Sequence, residues 1–277
     1  MRIVLYALLF ISALYAATPT PLEKGDEAYL KKDYQSALAW YQKSADANDS
    51  RAIHQMGIMY ETEKGVKRDY LKATDLYKKA VKMGNLDAYF NLARIYENGL
   101  GTPRDLNTSI QYYTYTADRG HTRAQHNLAH LYDDTTSPYH DDAKAFHYYK
   151  LAAEKAFTLS EYGLANHYAT GAGCEKDEPK AVELYKKVLL KGDDARAQYN
   201  VALMIARGQG HPKNNTLAYA LWENNAAFGS ADSAYNRDIL KKRISPEEIS
   251  EGEKLSKDRK KMIESISPLK KLLTTEK

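Results

Sequence analysis

Small and apolar residues recur at fixed intervals along an otherwise polar chain. Ala52, Ala88, Ala124, Ser160 and Ala197 form one column of small side chains, with Met56, Leu92, Leu128, Leu164 and Val201 four positions later. Next come Gly57, Ala93, Ala129, Ala165 and Ala202, and three further on Tyr60, Tyr96, Tyr132, Tyr168 and Ile205. Residues at i, i+4, i+5 and i+8 share one helix face, so each copy predicts a helix with a small-residue stripe and an aromatic beside it. A second cluster pairs Ala73, Ser109, Ala145, Ala181 and Ala218 with Tyr77, Tyr113, Tyr149, Tyr185 and Trp222 four positions on, one turn up the same face of a second helix. The steps between copies are 36, 36, 36 and 37, which makes this a tandem repeat.

Between the two helices of a copy the sequence predicts a tight turn. Gly99-Leu100-Gly101, Gly171-Ala172-Gly173 and Gly208-Gln209-Gly210 supply it, and Asp69, Asp105, Asp177 and Asn214 follow as caps for the second helix. Copy three has Asp133-Asp134-Thr135-Thr136-Ser137-Pro138 instead, without glycine, and predicts a differently shaped loop. A helix pair this short cannot bury its apolar face alone, so neighbouring pairs must stack. The spacing A-x-x-x-L-G/A-x-x-Y-x-x-G-x-G-x-x-x-D-x-x-x-A-x-x-x-Y/W resembles the Sel1-like repeat, a relative of the tetratricopeptide repeat. That resemblance, over residues 21–236, implies an all-α, right-handed α-solenoid of stacked antiparallel helix pairs. It also implies a scaffold that holds other proteins together.

The expected organisation is a signal peptide at 1–16 and a degenerate N-terminal capping repeat at 17–50. Five repeats follow at 51–85, 86–121, 122–157, 158–194 and 195–230, then C-terminal capping helices and a basic tail at 231–277. The signal peptide is read from Arg2, the apolar run 3–14 and the small Ala16 and Ala17; its run is too short to span a bilayer comfortably. The mature chain is therefore expected to be exported, periplasmic or extracellular, with no membrane span. In the tail, Ser245-Pro246-Glu247-Glu248 predicts a capped helix start, and Ile249, Leu255, Met262, Ile263 and Ile266 an apolar stripe that covers the open end of the stack.

Composition narrows the function. Of 40 Lys and Arg and 36 Asp and Glu, the stretch from Arg237 onward holds 12 and 8, so the whole +4 lies in the tail and the remainder of the chain is neutral (28 against 28). With no nucleic-acid motif, DNA or RNA is not an expected partner. The lone Cys174 excludes an internal disulfide and reads as a loop filler, not a reactive thiol. Some exported members of the resembled family are described as binding or hydrolysing β-lactams. That chemistry needs S-x-x-K with S-D-N and K-T-G elements, and here only Ser267-Pro268-Leu269-Lys270 fits the first. No phosphate loop exists either, so no enzymatic activity and no cofactor are expected.

Stacks of this kind line a concave groove with their first helices. Positions one before, two after, three after and six after the small column are expected to face it. They hold Arg51, Asp87, Arg123, Leu159 and Arg196; His54, Phe90, His126, Tyr162 and Tyr199; Gln55, Asn91, Asn127 and Asn200; and Ile58, Arg94, His130, Asn166 and Leu203. Rings beside guanidinium groups suit an extended peptide or a helix carrying carboxylates, so an acidic protein segment is the expected partner. The alternative for the asparagines and rings is packing between neighbouring first helices. His126 and His130 also form H-x-x-x-H, but neither the glutamate of a zinc protease nor an assured third ligand accompanies them, and no metal is expected. Adaptor for an envelope protein is the leading reading; a secreted host-directed factor is the first alternative, and a cell-wall-directed hydrolase the second.

Overall fold

A computed structural model describes residues 18–269; the expected signal peptide, Lys270 of the S-x-x-K stretch and the last residues of the basic tail lie outside them. The described residues form fifteen helices and no strand. The chain divides into two compact units, 1–116 and 117–277.

In the first unit, α1 (Pro21–Leu30) pairs with α2 (Tyr34–Asp46), α3 (Ser50–Thr62) with α4 (Tyr70–Lys82), and α5 (Leu86–Asn98) with α6 (Leu106–Ala117), which ends at the division. The second unit pairs α7 (Thr122–Asp133) with α8 (Asp142–Glu154), α9 (Thr158–Thr170) with α10 (Glu178–Lys191), and α11 (Ala195–Arg207) with α12 (Asn215–Ala227). It closes with α13 (Ala231–Lys241), α14 (Pro246–Leu255) and α15 (Arg259–Glu264).

Local chemistry sets the helix ends. Asp69, Asp105, Asp177 and Asn214 each accept a backbone N–H from the first turn of the second helix, as expected. Asp141 does the same in copy three, where the glycine-free loop leaves α7 through Asp134 in an extended conformation. The first helices end instead on a left-handed residue: Gly99, Gly171, Gly208 and, against steric preference, Glu63.

The columns read from the sequence are the core. All five residues of the first small column, and the five from Ala73 to Ala218, are buried without exposed surface. Small residues are required because an aromatic ring lies against them: a Cβ at Gly57 would fall 2.5 Å from the Tyr77 ring, and one at Gly25 equally close to Tyr41. The second glycine of each turn has a different task. At Gly101 a Cβ would meet Tyr70 Cβ at 2.6 Å, and at Gly173 and Gly210 it would drive into the Asp142 and Glu178 carbonyls. Each turn thus lies directly on the start of the preceding pair's second helix, where no side chain fits.

After α13 the chain does not simply cover the open end of the stack. It turns back along the second helices, and Met262, Ile263 and Ile266 are buried there. Arg259 donates to the Leu189 and Gly192 carbonyls, Lys186 Nζ to that of Ile266 at 2.6 Å, and Leu269 N to that of Gly210 at 2.8 Å. The stripe does contain buried residues, but α14 and α15 divide it and α12 and α10 receive it.

Gly173→Ala should destabilise the fold by about 2–4 kcal/mol, because the carbonyl it meets is fixed backbone. Gly192→Ala, where φ is 176° and no atom stands within 4 Å of the new Cβ, should stay within about 0.5 kcal/mol. Urea midpoints of the two variants and the parent check both.

Candidate partner-binding face

The side chains between repeats begin with the second-helix aromatics. Burial makes each tyrosine hydroxyl require an acceptor. Tyr77 donates to Glu61 at 2.8 Å, Tyr113 to Glu97 at 2.8 Å and Tyr149 to Asp133 at 3.2 Å. Each of these acids stands nine positions after the small column. Ala169 occupies that position in copy four, and Tyr185 donates instead to Asn166 Oδ1, which also accepts from Asn200 at 3.2 Å. Burial and the adjacent carboxylates hold the Tyr77 and Tyr149 hydroxyls protonated, well above the usual phenol range.

Two of these acids also take a cation from the next repeat. Arg94 donates to Glu61, which is only 7% exposed. His167, almost wholly buried, directs Nε2 to Asp133 at 3.1 Å and Nδ1 to the Ala172 carbonyl at 2.8 Å. Both partners are acceptors, so both ring nitrogens must donate, and the imidazole is charged. Burial by itself would lower its pKa; the Asp133 and Ala172 hydrogen bonds outweigh burial and raise it. Elsewhere Glu161, with no exposed surface, is held by Lys187 at 2.9 Å and Lys191 at 2.6 Å.

Several expected groove residues are used inside the stack. His54 and Asn91 are buried and bond to each other at 2.8 Å; the amide donates, so His54 Nε2 accepts and the ring is neutral. Burial lowers the His54 pKa in keeping with this. His126 turns Nδ1 to Ser160 Oγ at 2.9 Å and packs on Phe157, while Phe90 packs on Tyr113. Burial first, and the His130 charge second, push the His126 pKa down to about 4. Arg94, Asn166 and Asn200 belong to the nodes just described. For these residues packing between helices is what the contacts serve, and Arg94 in particular is a structural partner of Glu61.

The position before the small column stays outside. Arg51, Asp87, Arg123, Leu159 and Arg196 are exposed. Arg51 and Arg196 are each clamped by the helix-capping aspartate two residues earlier, Asp49 or Asp194, through two guanidinium nitrogens. Arg196 also lies 4.5 Å over the Tyr162 ring. With Tyr199, whose hydroxyl accepts from Asn236 at 3.0 Å, it borders a hollow of about 250 Å³. Asn127 is half-buried and His130 exposed. No cluster of three His, Cys, Asp or Glu able to hold a metal stands among the described residues. Cys174 is half-buried with its thiol 3.5 Å from the His167 carbonyl, and burial pushes its pKa up. The sequence did carry the signal for the missed nodes: an acid nine positions past the small column in three copies.

Helix pairs joined in tandem by shared inter-repeat nodes define a helical repeat protein. The Sel1 repeat profile matches residues 22–49, 50–85, 86–121, 122–157, 158–193 and 195–224, and the chain belongs to the Sel1 repeat family. Among solved structures it resembles a Sel1 repeat protein from Oxalobacter formigenes, with 25% identity over 84% of this chain and 97% of that one and a TM-score of 0.71. It also shares its fold with c5321, a protective antigen present in uropathogenic Escherichia coli strains, at 22% identity over 89% of this chain and 62% of that one, TM-score 0.55. No curated protein matches. Sel1 repeats mediate protein–protein interaction and are generally non-catalytic. No described helix is long and apolar enough to cross a membrane.

Arg94→Glu should cost about 2–4 kcal/mol, because it sets a second carboxylate against one already buried. Arg123→Glu, on an exposed side chain with no ion pair among the described residues, should change stability by less than about 0.5 kcal/mol. Equal midpoints in urea would show that Glu61 does not need its arginine.

His126 is uncharged when folded and protonates more readily when unfolded. Its contribution is fully present above the ordinary histidine pKa and is lost as pH falls from about 6.5 toward 4, about 1–2 kcal/mol by pH 5. Urea midpoints at pH 7.5 and 5.0 should therefore converge in His126→Gln relative to the parent. A loss as large as the parent's would place the acid sensitivity on another group.

Proposed function

We propose that this chain is an exported, non-enzymatic interaction scaffold that holds an acidic segment of a partner protein along the exposed positions of its first helices. The observation that carries the reading is the run of six Sel1 repeats through residues 22–224. Export is supported by the Arg2-led apolar run of residues 3–14, which has the form of a signal peptide and suits the periplasm.

The finer reading rests on the residues the stack leaves outside. Arg123 and Arg196 extend from α7 and α11 in one unit, and Arg196 is pre-oriented by Asp194 and the Tyr162 ring. A guanidinium held in this way loses little side-chain freedom on meeting a carboxylate and presents a planar pair of donors to it. An extended peptide or a helix with one acidic edge satisfies that geometry.

Capture from an envelope extract by the mature chain tests the proposal, with Arg123→Glu, Arg196→Glu alongside. One protein enriched by the parent and reduced at least tenfold by the variant, at unchanged helical circular dichroism, is the expected outcome. Retention of the same protein by both would move the binding face away from these arginines.

A further inference from the structure

The tyrosine–acid node fails in the last full repeat, and a pocket opens there. The aromatic position holds Trp222, the acid's position nine after the small column holds Ala206, and Ile239 stands where Arg94 stands in the second copy. Among the described residues the Trp222 indole N–H has no acceptor, and it is buried unpaired. Between α11, α12 and α13 lies a cavity of about 280 Å³, walled by Trp222, Leu203, Ile239, Leu240 and Ile244.

Three cations surround its mouth, from three separate segments: Arg207 ends α11, Lys213 lies in the turn before α12, and Arg243 follows α13. All three are exposed, none has an ion pair among the described residues, and no carboxylate lines the cavity. Elsewhere in the chain, by contrast, arginines such as Arg51, Arg196 and Arg237 are paired with an acid nearby. An apolar cavity with an unbalanced cationic rim is complementary to an apolar group carried among negative charges.

We propose that this cavity is a specific anchor site for the partner protein: it takes one leucine or phenylalanine side chain, while flanking glutamates or aspartates of the same segment meet Arg207, Lys213 and Arg243. The inference deepens the scaffold reading above and rests on it. Cations supplied by three separate segments favour several carboxylates on a peptide over the single head group of a fatty acid.

Trp222 reports on the site once Trp40, the only other tryptophan, is replaced. The probe is a blocked hexapeptide with a Leu-Phe pair flanked by two glutamates on each side, titrated into the Trp40→Phe full chain at low salt. A saturable change in Trp222 emission is expected, weakened at least tenfold by Arg207→Glu with Arg243→Glu and by moderate salt. The same peptide with lysines in place of the glutamates should give no saturable change. If the reversal alters the melting temperature, Arg207→Ala with Arg243→Ala serves in its place. No saturable response to the acidic peptide, a loss smaller than tenfold, or saturation by dodecanoate but not by peptide would overturn the proposal. None of these results depends on the capture experiment, so an absent partner and a wrong anchor site give different outcomes.

Discussion

The structure depends on burying an aromatic side chain with a polar end at the base of nearly every helix pair. The tyrosine ring fills the space beside the small-residue column, but its hydroxyl arrives there too and must find an acceptor. Leaving it unpaired would cost about 1–3 kcal/mol. A carboxylate on the first helix accepts it, and this moves the difficulty to the carboxylate, whose charge is now partly desolvated. In two copies the next repeat supplies the answer, through Arg94 or through a charged His167. Packing inside a pair is thereby coupled to alignment with its neighbour.

The same economy of space determines which residues remain for a partner. First helices approach closely because their facing positions are small, so polar side chains near that face turn toward one another. His54 meets Asn91, His126 meets Ser160, and Asn200 meets Asn166. What stays outside is the position one residue before the small column, where arginines are held by the capping aspartates of their own helices. A cap that ends a helix thus also fixes the direction of an exposed cation.

The C-terminal part of the chain shows what happens when the repeat logic lapses. Trp222 keeps the aromatic volume, but the acid and the cation are gone, and apolar side chains with unpaired basic neighbours occupy the region. Past α13 the polypeptide no longer adds a helix pair; it returns along α12 and α10, where Arg259 donates to the Leu189 carbonyl near the end of α10 and the Ile266 carbonyl accepts from Lys186. Its apolar residues were visible as a stripe, but their destination depends on a surface assembled from two repeats.

The sequence by itself determined the period, the helix pairs, their caps and their buried columns, because each follows from spacing within one copy: helical periodicity, aspartate at an N-cap, glycine where the backbone must turn with positive φ. It also marked the polar and aromatic columns of the first helices, yet could not separate an open groove from a helix–helix contact. That difference of a few ångströms depends on how far one repeat rotates onto the next. Only the tertiary structure decided that Arg94 belongs to Glu61, that His167 carries its charge between Asp133 and a carbonyl, and that the basic side chains around Trp222 meet no acid among the described residues. The Arg94–Glu61 and His167–Asp133 pairs join residues 33 and 34 positions apart, and electrostatic partnership, or its lack, acts through space, not along the chain.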